Sequence, residues 1–109
     1  MPIPIAGEAI IAPEKFGRYL LLPGRDKGKA RFFAALGYTS DNWTEFEVAL
    51  REQHLILDAE EDEVTKWGTM YAIVGPITGP SGERANIRSI WIIRTGEYIP
   101  RFVTAYRAK

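Results

Sequence analysis

Cysteine is absent from this chain of 109 residues, so disulfides, cysteine nucleophiles and thiolate metal sites are excluded. Histidine occurs once, which excludes a multi-histidine zinc centre. Neither a metal nor a cofactor is therefore expected. Long apolar runs are missing as well. LLL at 20–22 and WII at 91–93 fall far short of the ~20 residues that cross a bilayer. The start, MPIPIAGEAII, lacks the basic opening and apolar core of a signal peptide, so a cytoplasmic protein with no membrane contact is expected. Net charge is lacking too: 14 basic residues balance 14 acidic ones. That balance disfavours strong non-specific binding to nucleic acid, which draws its affinity from summed phosphate contacts.

What the chain does have is the composition of a folded domain. Hydrophobic residues make up 46% and charged residues 26%. Residues 1–109 read as a single domain, with 1–8 as a flexible or extended arm. The zero charge conceals three blocks, +3 over residues 1–40, −8 over 41–63 and +5 over 64–109. Such blocks either form separate acidic and basic faces or are each simply solvated.

Helical signals occupy the first half. Pro13 opens a helix whose stripe is Phe16, Tyr19 and Leu20, and Pro23-Gly24 ends it. A second helix runs from Lys27 or Gly28 to Leu36, with Phe32, Phe33 and Leu36 facing inward and Gly37 as its C-cap. Asp41 or Asn42 caps a third, which reaches about residue 56. The acidic run at 58–63 reads as a solvated loop or helix end.

The second half carries strand signals at about 69–75, 84–94 and 100–107, joined by Gly79-Pro80-Ser81-Gly82 and Thr95-Gly96-Glu97 turns. Short connections imply an antiparallel meander. The expected fold is α+β, with two or three N-terminal helices packed on one face of a three- to four-stranded antiparallel sheet. Alternation puts Ile87, Ser89 and Trp91 on one face of the middle strand and Arg88, Ile90 and Ile92 on the other. By the same count Phe102, Thr104 and Tyr106 share a face of the last strand.

Several residues are candidates for chemistry. Lys27, Gly28 and Arg31 belong to a basic glycine-bearing turn before a helix, a setting suited to phosphate. The turn is not a nucleotide-triphosphate loop: Gly24 to Gly28-Lys29 is one residue short, and Ala30 stands where a magnesium-binding hydroxyl is needed. Arg88 at mid-strand could stabilise a phosphoryl group, with Arg84 and Arg94 as backbone contacts, or else pair with Glu63, Glu83 or Glu97. Thr104 and Tyr106 could orient a phosphate, or be core positions. His54, among Leu55, Ile56 and Leu57, reads as a helix-face residue rather than a catalyst, and neither Ser81 nor Ser89 has an evident base partner.

One wider pattern joins these pieces. Tyr19-Leu20-Leu21, Lys27-Gly28-Lys29-Ala30-Arg31-Phe32-Phe33, Gly37-Tyr38, Gly68-x-x-Tyr71, Gly79-Pro80-Ser81-Gly82, Trp91-Ile92-Ile93 and Pro100-Arg101-Phe102-Val103-Thr104-Ala105-Tyr106 occur in that order. The pattern resembles a small bacterial family of uncharacterised domains, found as stand-alone proteins and as C-terminal modules of polymorphic toxins. That family is similar to the barnase, EndoU, colicin and RelE ribonuclease-like fold. The resemblance implies Lys29, Arg88, Thr104 and Tyr106 as catalytic positions for metal-independent RNA cleavage, with Lys27, Gly28, Arg31 and Arg84 binding phosphate. The residues alone favour a non-catalytic interaction module, with a second copy of the chain or another protein as partner; RNA is the partner under the alternative.

Overall fold

A computed structural model describes residues 1–13 and 27–108, without the side chain of Lys27. The helix expected over 13–22 lies outside the described residues, as do Arg25 and Asp26. Among the described residues two α-helices precede a four-stranded antiparallel sheet of order β1-β2-β3-β4. The helices are α1 (Lys27–Leu36) and α2 (Trp43–Ala49). The strands are β1 (Glu60–Thr65), β2 (Gly68–Thr78), β3 (Arg84–Arg94) and β4 (Arg101–Arg107). No helix among the described residues is long and apolar enough to cross a membrane.

The acidic run corrects the reading of that segment as a loop. Glu60 to Thr65 forms edge strand β1, paired on one side only. Local propensity disfavours such a strand, and its pairing with β2 overrides that preference. Its glutamates face water along an otherwise open edge, where charge discourages pairing with another chain. β2 also runs past the expected end, through Pro76 to Thr78. β1 reaches β2 no further than Ala72, so Pro76 pairs only with Asn86 of β3. A missing N–H is harmless there.

The core lies between the helices and the sheet. Phe33, Leu36, Phe46 and Leu50 pack with Ile73, Ile77, Ile87, Trp91 and Phe102. The Phe33 and Phe46 rings are 4.9 Å apart, and Tyr38 stacks on Phe46 at 4.8 Å. The first residues join this core: Ile3 is only 2% exposed, and Ile10 exchanges backbone hydrogen bonds with Pro100 and Phe102.

Gly37 closes α1 at φ +100°, as its position after Leu36 predicts. The loop that follows is organised by Asn42. Its Oδ1 accepts from the Thr39 amide at 2.7 Å, and its Nδ2 donates to the Gly37 carbonyl at 2.8 Å and to Glu45 Oε2 at 3.0 Å. Asn42→Ala should therefore cost about 1–2 kcal/mol, read by urea unfolding. An unchanged midpoint would show that water replaces these bonds without loss.

The third helix is not uniform. After α2 the chain widens into a π-helical turn over Leu50–His54, with the Leu55 amide bonded to the Leu50 carbonyl at 2.8 Å. This turn aims His54 into the core, so His54 is fully buried rather than a helix-face residue.

β4 holds a second departure from simple alternation. Ile90 pairs with Thr104 and Trp91 with Phe102, which leaves Val103 as a bulge. The bulge advances the side-chain pattern by one residue. Phe102 and Ala105 both face the helices, whereas Thr104 and Tyr106 turn to the opposite face beside Ile90 and Arg88. The expectation that Phe102 shares their face is corrected accordingly.

Candidate functional site

Sheet order separates the charges. Glu60, Glu61, Asp62 and Glu63 lie on β1 at one edge; Arg101 and Arg107 lie on β4 at the other, where Lys29 of α1 reaches Thr104. The two edge strands are about 14 Å apart at ordinary strand spacing. Among the described residues, strand order alone therefore sets the acidic run and these bases at opposite edges of the sheet.

Of the four residues singled out as catalytic candidates, Lys29, Thr104 and Tyr106 meet beside β4, and Arg88 joins them only as a neighbour in the strand ladder. Lys29 Nζ donates to Thr104 Oγ1 at 3.3 Å and lies 5.9 Å from the centre of the Tyr106 ring. Tyr106 is the direct cross-strand neighbour of Arg88. The Tyr106 ring, 38% exposed, thus has Lys29 within reach and Arg88 as its partner in the ladder. Lys29 reaches it because α1 runs beside β4. Gly28, Lys29 and Phe32 recur at helical spacing on one side of α1. With Tyr106 and Arg107 they line a groove of about 310 Å³.

The other phosphate-binding candidates divide. Gly28 lines the groove. Arg31 is exposed and lies two residues beyond Lys29, about 200° around the helix, so the two cannot share a side. Arg84 is exposed at the first residue of β3, about 13 Å along the strand from Arg88. Neither joins the cluster. Phe32 and Arg107 are lining residues that the sequence reading did not single out. The signal for Phe32 was its position three residues after Lys29, but its apolar character assigned it to the core.

Arg88 pairs with none of the acids proposed for it. Its Nη2 lies 3.0 Å from Asp62 Oδ1. A register shift between Glu61 and Glu63 makes Asp62 the bulged residue of β1, which delivers its carboxylate across β2 to β3.

The chain's histidine is elsewhere. Trp91 Nε1 donates to Ser89 Oγ at 2.8 Å, Ser89 Oγ is 2.7 Å from His54 Nδ1, and His54 Nε2 is 3.2 Å from the Gly75 carbonyl. A carbonyl only accepts, so Nε2 holds the proton and Nδ1 accepts from the serine hydroxyl. Ser89 does have a base partner, contrary to the sequence expectation. Yet both side chains are 0% exposed, so the pair meets no substrate. Burial lowers the His54 pKa below its ordinary value, partly opposed by the backbone at Gly75 and Ile87. Within the described residues no cluster of three His, Cys, Asp or Glu side chains is placed to hold a metal.

Residues 3–109 match a family described as a domain of unknown function, DUF6883. The chain belongs to that family. No curated protein and no solved structure matches it. The family match spans both the helices and the sheet, so the whole α1–β4 cluster falls within it.

A larger groove, about 390 Å³, lies between α2 and the end of β2. Its polar groups are largely consumed by the fold. Gln53 bonds both the amide and the carbonyl of Thr78, and the Tyr38 hydroxyl donates to that carbonyl at 2.9 Å. Burial, with help from the Glu45 charge, raises the Tyr38 pKa, which keeps the hydroxyl a donor. The smaller α1–β4 groove is the better candidate because cations and an exposed ring converge on it.

Proposed function

We propose that the protein is a non-catalytic interaction module that recognises a phosphate-bearing partner through the α1–β4 groove. One observation carries this reading: Lys29, Tyr106 and Arg107 border a single groove, with Arg88 immediately beside the tyrosine. Lysine and arginine bind phosphate by charge and hydrogen bonding, and the Tyr106 ring offers a flat apolar surface between them. The histidine lies sealed on the helix side of the sheet, so acid and base groups for turnover would have to come from elsewhere.

A titration of ¹⁵N-labelled protein with inorganic pyrophosphate tests the reading. Shifts should concentrate at Gly28, Phe32, Tyr106 and Arg107. Lys29→Ala should weaken binding about tenfold, in line with loss of a hydrogen bond to a charged group. Shifts confined to other parts of the molecule would overturn the proposal.

The grouping of Lys29, Thr104 and Tyr106, with Arg88 next to Tyr106 in the ladder, favours a second reading, metal-independent cleavage of RNA, as the resemblance to ribonuclease-like toxin modules implies. Under it the two cations stabilise charge on the scissile phosphate. Total RNA incubated with the protein in EDTA should then be cut, and Arg88→Ala should lose the cutting. RNA left intact across a broad pH range removes this reading and leaves the first in place.

A further inference from the structure

The Arg88 guanidinium carries a carboxylate of the chain itself. The pair joins Nη2 to Oδ1 at 3.0 Å, with the Arg88 and Asp62 side chains 33% and 41% exposed. It is a single contact, not a two-pronged one, and leaves most guanidinium donors to other acceptors. Asp62 gets there only through the β1 bulge, which interrupts the regular pairing of an acidic edge strand. Its neighbours Glu61 and Glu63 keep ordinary places in the ladder opposite Tyr71 and Met70.

We infer that Asp62 is a built-in competitor for the phosphate site: its carboxylate occupies Arg88 until a phosphate group displaces it. The inference rests on the α1–β4 reading above and adds its regulation. Arg88 stands next to Tyr106, so release from Asp62 lets it turn toward the ring that Lys29 flanks on the other side. A phosphate offers several oxygens to the planar guanidinium and can bind it at two points, which the single Asp62 contact does not. A lone carboxylate ligand would only exchange one such contact for another. The device therefore favours phosphate over carboxylate ligands and raises the concentration at which phosphate binds.

The test uses the full chain, with inorganic pyrophosphate and acetate as probes followed by ¹⁵N shifts. Exposed ion pairs are worth little, so Asp62→Asn should tighten pyrophosphate binding by about two- to fivefold. The gain should vanish in an Arg88→Ala background. Glu63→Gln removes the same charge from the same strand without touching Arg88, and should give a smaller gain. Asp62→Ser should repeat the Asp62→Asn result, which guards against an effect of the asparagine itself. An equal gain from Glu63→Gln, or a gain that survives Arg88→Ala, would overturn the inference by reducing it to general field strength. In that case loss of binding in Lys29→Ala would still uphold the groove. Acetate binding as tightly as pyrophosphate would overturn the claimed selectivity. Absence of pyrophosphate binding in every variant would overturn both the groove and its competitor.

Discussion

Replacing His54 with alanine is expected to destabilise the protein by about 3–5 kcal/mol, the range for emptying a large buried site. Two effects add. A cavity opens under the π-helical turn, and the Gly75 carbonyl and Ser89 hydroxyl lose the ring atoms that complete their bonds. The loss should also alter the response to pH. The folded-state pKa of His54 lies below the unfolded value of about 6.5, so the unfolded chain takes up the proton first. This contribution to stability is complete above that pH and falls as the solution is acidified below it. The slope cannot exceed about 1.4 kcal/mol per pH unit for one proton. Urea midpoints between neutrality and mild acid should show it in the natural protein and lose that component in His54→Ala. A variant with the same slope as the natural protein would show that the acid sensitivity belongs to the carboxylates.

The second large effect is expected at Gly79. A Cβ there would overlap the Leu36 carbonyl at the end of α1. Backbone forms the obstacle, so no flexible side chain can give way. The same turn is fastened to α1 by the Ser81 amide on the Leu36 carbonyl at 3.1 Å and by Ser81 Oγ on the Ala35 carbonyl at 3.0 Å. Gly79→Ala should push the β2–β3 turn off the helix and cost about 3 kcal/mol or more. Gly82 in the same turn separates sterics from backbone strain. Its φ is +89° and nothing lies within 4 Å of an added Cβ, so Gly82→Ala should cost only about 1–2 kcal/mol. Thermal unfolding of the two variants decides the point; equal losses would mean that the turn conformation, rather than helix contact, sets the cost.

Legibility in the sequence followed the strength of periodic signals. The bounds of β3 coincide with the run Arg84 to Arg94, because alternating large apolar residues specify a central strand with little competition. α1 and its Gly37 cap were equally plain, since one glycine after an amphipathic run has few other uses. β1 was hidden because its first four positions, Glu60 to Glu63, are acidic and carry no strand signal, and only the partner strand supplies the reason to extend. The π turn was hidden because it preserves apolar spacing while changing which residue points inward.

The site was half legible for a related reason. Lys29, Thr104 and Tyr106 could be named from their types and spacing. That Arg88 faces Tyr106 requires the register of β3 on β4, and that Asp62 reaches Arg88 requires a bulge two strands away. Neither is encoded locally. His54 showed the converse: a residue type associated with chemistry was placed in the interior, where Trp91 and Ser89 make it a structural tie.

The Val103 bulge carries a consequence for how such a surface is gained or lost. Were Val103 drawn into the ladder opposite Ile90, strict alternation from Phe102 would swing Thr104 and Tyr106 beneath the helices and bring Ala105 out in their place. A slip of register by a single position, with every side chain retained, would take the tyrosine away from Lys29 and from its place opposite Arg88. Presence of the right side chains is thus no guarantee of the surface; the parity of the last strand decides whether they form one.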